Sequence, residues 1–191
     1  MTAPERSAQP RAGLPGLIDR YLGPEATPLD RVRVVLAAIG GALLGLLTIQ
    51  ADWWARLLLM VVSAELCAGL MAQLNHAGKA WTHRPHQRTL RLVGFLLVQG
   101  LPLYVFVLLM RADQPELLLS ANALLYIGAA AILLTPPAWQ RAIGLVALLA
   151  VMFTLQSLHG LPQEAAWFLP LFYARTFLAK LPGPREPDAQ G

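Results

Sequence analysis

Charge is the first thing this sequence is short of. Only 14% of its 191 residues are charged and 56% are apolar, where a soluble domain carries roughly 25% charged residues, so there is too little polar surface to cover a water-soluble body of this size. The charges fall in short clusters between long apolar runs, the layout of a chain whose solvent is mostly hydrocarbon. A lone cysteine, Cys67, excludes a disulfide framework and reads as a small core residue. The net charge of +4 is not massed with aromatics on a soluble segment, so nucleic acid is not an expected partner. Phosphate-cradling glycine loops and nucleophile elbows are missing, and so are histidine and acid sets at metal-ligand spacing. No cofactor or metal is expected. His83 and His86, parted by Arg84 and Pro85, are the nearest approach to a metal pair, and an enzyme is not the expected class.

What is present is an all-α pattern, a polytopic integral membrane helix bundle of about six transmembrane helices. Residues 1–13, rich in Pro, Ala and charge, read as a disordered tail. In 14–33, Leu14, Leu17, Ile18, Tyr21 and Leu22 recur at the spacing of one helix face with Asp19 and Arg20 opposite, as in an interfacial amphipathic helix followed by a linker. The first long apolar run begins only at Val34, without the layout of a cleaved signal. The apolar segments run over 34–49, 53–74, 92–110, 117–134, 142–158 and 161–181, and 182–191 reads as a second disordered tail. Thr27, Pro28 and Asp30 form a helix start. Trp53 and Trp54 suit the headgroup level. Pro136, Pro137 and Gly160 are stops. Ala37, Gly41 and Gly45 make a small-residue stripe that lets another helix backbone come close. The sixth segment is the weakest, since it contains Pro162, Gln163, Glu164, Pro170, Arg175 and Lys180.

Orientation follows from the connection after the second span, where Lys79, Arg84, Arg88 and Arg91 occur without an acid. The positive-inside rule puts that connection, and with it both termini, in the cytoplasm. Asp52, Asp113, Glu116 and Glu164 then lie on the other side. Arginine outnumbering lysine, with abundant Ala and Leu, points to a bacterial source and hence to an inner membrane. Lys79, Trp81, Arg84, Arg88 and Arg91 are candidates for anionic lipid headgroups.

The halves carry a faint similarity. Ile39-Gly40-Gly41-Ala42 resembles Ile127-Gly128-Ala129-Ala130, Trp53 with Arg56 resembles Trp139 with Arg141, and Leu101-Pro102-Leu103-Tyr104 resembles Leu169-Pro170-Leu171-Phe172. The order is that of a 3+3 inverted repeat, the design of many transporter folds.

Glu65 is the strongest single signal, because it stands too deep in its span to reach either interface and needs a partner or a proton. Gly69, Gln73 and His76 continue its helix face as one stripe. At 1.5 Å per residue, Glu65, Gln99 and Arg175 all lie about 18–20 Å from the outer ends of their spans, which predicts a Glu65–Arg175 ion pair with Gln99 hydrogen-bonded to it. Glu65, Gln73, His76, Gln99 and Arg175 are therefore the candidate ion or substrate site. Asn122 and Gln156 are candidates for a tie nearer the outer face. The expected function is a small permease-like or channel-like transport subunit, as a homodimer or with a larger membrane partner. A scaffold needs only the small-residue stripes, and a lipid-modifying enzyme would use the cytoplasmic histidines.

Overall fold

The computed structural model describes residues 10–48, 52–84, 88–161 and 165–183. Among them the helices are α1 (Gly13–Leu22), α2 (Pro28–Thr48), α3 (Trp53–Leu74), α4 (His76–Thr82), α5 (Arg88–Met110), α6 (Pro115–Leu133), α7 (Gln140–His159) and α8 (Ala165–Ala174), the last continuing into a π-helical turn, Arg175–Lys180. The tail expectations for 1–9 and 184–191, the place of His86 and the start of the sixth segment at 162–164 lie outside the described residues.

Five helices are long and apolar enough to cross a membrane: α2, α3, most of α5, α6, and α7 with the single 3₁₀ turn before it. At 1.5 Å per residue, about twenty residues match a hydrocarbon core of about 30 Å. Their outward faces keep large apolar side chains exposed, among them Leu36, Ile39, Leu43, Val93, Leu97, Ile127, Leu149 and Phe153. Such a belt is stable against lipid tails and untenable against water, and the chain is a multi-pass membrane helix bundle.

Local signals place the ends. The Asp30 N–H donates to Thr27 Oγ1 (3.2 Å) and the Thr27 N–H donates back to Asp30 Oδ2 (3.0 Å), a reciprocal cap with Asp in the usual Glu position. Gly160 closes α7 in the left-handed conformation at φ 54°, and α6 stops at Leu133, just before the Pro136-Pro137 pair. The small-residue stripe seats α2 on α3. A Cβ on Gly41 would collide with Ser63 O, and one on Gly45 would lie 2.9 Å from Ser63 Oγ and 3.0 Å from Leu59 O.

The sixth segment is the centre of the bundle. Phe168, Leu169, Phe172, Tyr173 and Phe177 are all fully buried, and Phe168 stacks on Phe106 of α5 with centroids 4.1 Å apart. The Tyr173 hydroxyl donates to Ala121 O of α6 (2.8 Å). Gly128 and Gly144, on α6 and α7, leave the room that Phe177 fills. At the basic end the Gly183 N–H donates to Gln140 Oε1 at the start of α7 (3.0 Å), so the segment runs antiparallel to α7. The matched glycines of the two halves do different work: Gly40 faces open space, whereas Gly128 receives an aromatic ring.

Gly41→Leu should separate α2 from α3, because overpacking a close backbone contact costs typically about 1–3 kcal/mol. The expected result is a lower unfolding temperature in detergent and protease cleavage between α2 and α3. Gly40→Leu, in open space, is the matched control and should leave both readouts near wild type.

Candidate functional site

Glu65 stands twelve residues after the first residue of α3, about 18 Å along the axis, and Arg175 opens the π-helical turn of the terminal helix. The guanidinium Nη1 and Nη2 donate to the two carboxylate oxygens, each at 2.5 Å, the bidentate fork that arginine makes and lysine cannot. The expected ion pair is present. Three features bring it about. Gly69, one turn after Glu65, lacks the Cβ that would sit 2.5 Å from Arg175 Nε and 2.6 Å from its Cζ. The extra residue in a π turn shifts the register of the helix end, the kind of bulge common at functional positions, and the Leu181 N–H closes it on Thr176 O (2.9 Å). The Phe95 ring of α5 lies 5.7 Å from Arg175 Cζ, close enough for cation–π attraction.

The pair forms one wall of a cavity of about 320 Å³ between α3 and α5, lined by Val61, Val62, Phe95, Val98, Pro102 and Val105 among others. Gln99 also lines it. The expected Gln99 bond to the pair is not made: Gln99 is 3% exposed and its Nε2 has no hydrogen-bond partner. Tyr21, on α1, lies within electrostatic reach of the pair. Desolvation, with the Glu65 charge adding and Arg175 opposing, pushes its hydroxyl up to about 12.

The rest of the predicted stripe leaves the site. α3 ends at Leu74, and Asn75 takes an extended conformation at ψ 142°, so His76 belongs to α4 and is exposed. Sequence spacing assumed one continuous helix, and the break at Asn75 removes His76 from the face. Gln73 is buried and turned away, its Oε1 3.0 Å from Thr82 Oγ1.

The headgroup candidates also divide. Lys79 is buried, with its Nζ donating to Ala179 O, so it is a tie between α4 and the terminal helix and not a surface charge. Trp81 is buried and donates from Nε1 to Arg20 O (2.9 Å), while Arg84 lies 3.6 Å from the centroid of the Trp81 ring. Arg88 and Arg91 lie on α5, and their side chains fall outside the described residues. His83 Nε2 is 2.9 Å from Lys180 O, and among the described residues no group of three or more His, Cys, Asp or Glu is placed to hold a metal. Asn122 Nδ2 bonds Leu118 O of its own helix (2.9 Å), and Gln156 is exposed.

One pairing escapes sequence reading. Ser120 Oγ lies 2.8 Å from His159 Nε2 at the acidic end of α6 and α7. The same hydroxyl also lies 2.8 Å from Glu116 O one turn back, a helix-internal bond that makes this a tie between helix ends and not an activated nucleophile. Only the antiparallel pairing of α6 and α7 brings the two together.

Two measurements probe this geometry. Glu65→Gln or Arg175→Gln alone should each destabilise the chain by leaving its partner uncompensated, by less than the roughly 3–5 kcal/mol of a fully buried pair because the Glu65 side chain is 44% exposed, while Glu65→Leu with Arg175→Leu should recover most of the loss. Denaturation in detergent reads the cycle, and strictly additive losses would show that the two side chains do not act as a unit. Burial, then Arg141 and Lys180, lower the Lys79 ammonium to about 8, below an unfolded value of about 10.4. The folded chain therefore binds fewer protons than the unfolded one between those values, and stability rises with pH across that window. The unfolding temperature should climb between about pH 8 and pH 10, and Lys79→Met should flatten the climb. Against protein-family models, curated proteins and solved structures, the chain finds no match.

Proposed function

We propose that this chain is a small permease-like transport subunit of a bacterial inner membrane, with its working site at the level of Glu65, Arg175 and Gln99. The observation that supports this is the placement of a bidentate carboxylate–guanidinium pair on the wall of a cavity at mid-depth. Ionisable groups in a span are costly and are kept where a pathway or a site needs them. A polar tie between helices needs no cavity beside it, and this pair has one. The pair carries no net charge, so it can hold a polar group of a passing solute without trapping it. In this reading the basic end of the bundle, with Arg84, Arg88 and Arg91, faces the cytoplasm and its anionic headgroups, and both termini lie on that side.

A scaffold is the second reading, favoured by the close α2–α3 seam, which needs only packing. Accessibility separates the two. On a Cys67→Ser background, Val62→Cys places a thiol on the cavity wall. A permease exposes this level to each side in turn, so in sealed vesicles a membrane-impermeant thiol reagent should react when applied outside and, separately, when enclosed inside. Reaction with a membrane-permeant reagent alone would show that this level never opens to water and would overturn the transport reading.

A further inference from the structure

The walls of the cavity beside Glu65 say what it can hold. Val61, Val98 and Leu101 line it and are 58%, 59% and 60% exposed, and all three sit in the middle of long apolar helices. Its mouth therefore faces hydrocarbon and not either aqueous phase. Deeper in, the walls are Val62, Val105, Pro102 and the Phe95 ring, with polar groups only at the Glu65–Arg175 pair and Gln99. A volume of about 320 Å³ is at the low end of ligand pockets, roughly 300–1,000 Å³. That is room for a small head and the first part of a chain, and not for a whole membrane lipid.

The polar groups restrict the head. Both terminal nitrogens of Arg175 donate to Glu65, so an anion would have to displace the carboxylate at the loss of two charge-assisted bonds, and a cation would meet, on a Glu65 side chain that is 44% exposed, a charge the guanidinium already neutralises. The open donor valence is a neutral one: Gln99 is 3% exposed and its Nε2 has no partner, and an unmade bond at such a depth is costly. Its complement is an uncharged acceptor.

Building on the transport reading above, we propose that the cavity binds an uncharged amphiphile, a hydrocarbon chain ending in a carbonyl-type acceptor. It is taken sideways from the bilayer between α3 and α5, with the acceptor on Gln99 Nε2 and the chain trailing past Val61, Val98 and Leu101 into lipid. The arrangement suits a carrier for such molecules, because the head passes the midplane at a neutral polar site while the tail stays in hydrocarbon.

The test uses the full chain in phosphatidylcholine vesicles and a long-chain methyl ketone carrying a diazirine in its tail. After illumination, label should concentrate on Val61, Val98 and Leu101 and be removed by excess plain ketone. The alkane, alkyl sulfate and alkyltrimethylammonium of the same length should not compete. Gln99→Leu should weaken labelling about tenfold, equivalent to about 1.4 kcal/mol, while the unfolding temperature stays level or rises, since an unsatisfied donor has gone. Label spread evenly over all lipid-facing helices, or equal competition by the alkane, would reduce the cavity to ordinary lipid contact and overturn the proposal. Competition by either charged amphiphile would overturn the uncharged head. Label carried onto the same groove of a second copy would make this a seam between protomers, again against the proposal. A lower unfolding temperature for Gln99→Leu with undiminished labelling would make Gln99 structural. The Val62→Cys experiment keeps the two readings apart. Thiol reaction from both sides without ketone labelling leaves the permease and removes this cargo, whereas ketone labelling without thiol reaction leaves a static lipid-binding site and removes transport.

Discussion

A guanidinium held at mid-depth in hydrocarbon is the constraint around which this bundle is arranged. An unpaired cation there is costly on every scale of membrane insertion, so Arg175 dictates what its neighbours must be. α3 must supply a carboxylate at the same level, one turn of α3 must be bare so that the side chain can cross it, and an aromatic face is the compatible cover on the α5 side. Glu65, Gly69 and Phe95 meet these three requirements. Because the interaction joins three helices, it also fixes how those helices are set against one another. The low dielectric that makes an isolated charge so costly makes the satisfied pair directional and costly to break from one side.

The remaining ties carry the same logic toward the basic end. The Lys79 ammonium on the Ala179 carbonyl, His83 on the Lys180 carbonyl and the Lys180 ammonium on Thr82 Oγ1 join α4 to the end of the terminal helix. Side chains there satisfy main-chain oxygens that a helix leaves without partners at its C-terminus. Basic residues suit that end, where the helix dipole is negative. The connection whose cations look in the sequence like a surface patch thus spends part of them on an internal lock. Burial of Lys79 lowers its affinity for a proton.

Much of this was legible from residue order. Five long apolar runs, the Thr27–Asp30 start, the stops at Pro136 and Gly160, and the glycine seam of α2 all follow from local chemistry that a bilayer amplifies. The Glu65–Arg175 pair was within reach because depth along a helix is simple arithmetic and an ionised group in lipid needs its opposite. What escaped depended on where the chain bends or on what lies alongside. Nothing in Leu74-Asn75-His76 distinguishes a helix that continues from one that stops, so His76 reads as part of the stripe although α3 ends before it. Lys79 looks like any exposed lysine until the terminal helix is laid beside it, and Ser120 meets His159 only through the pairing of α6 and α7. The terminal helix read as weakest because its Pro170, Arg175 and Lys180 lower its mean hydropathy, yet an element enclosed by protein needs no lipid-facing stripe.

That inversion has a consequence for biogenesis. The helix over 165–180 follows all five candidate spans among the described residues, and it contains Arg175, a residue unwilling to partition into lipid by itself. The five spans are each apolar enough to enter a bilayer on hydropathy, whereas this helix gains a neutralising partner only where α3 already presents Glu65. Its entry into the bundle and its docking on α3 are therefore coupled.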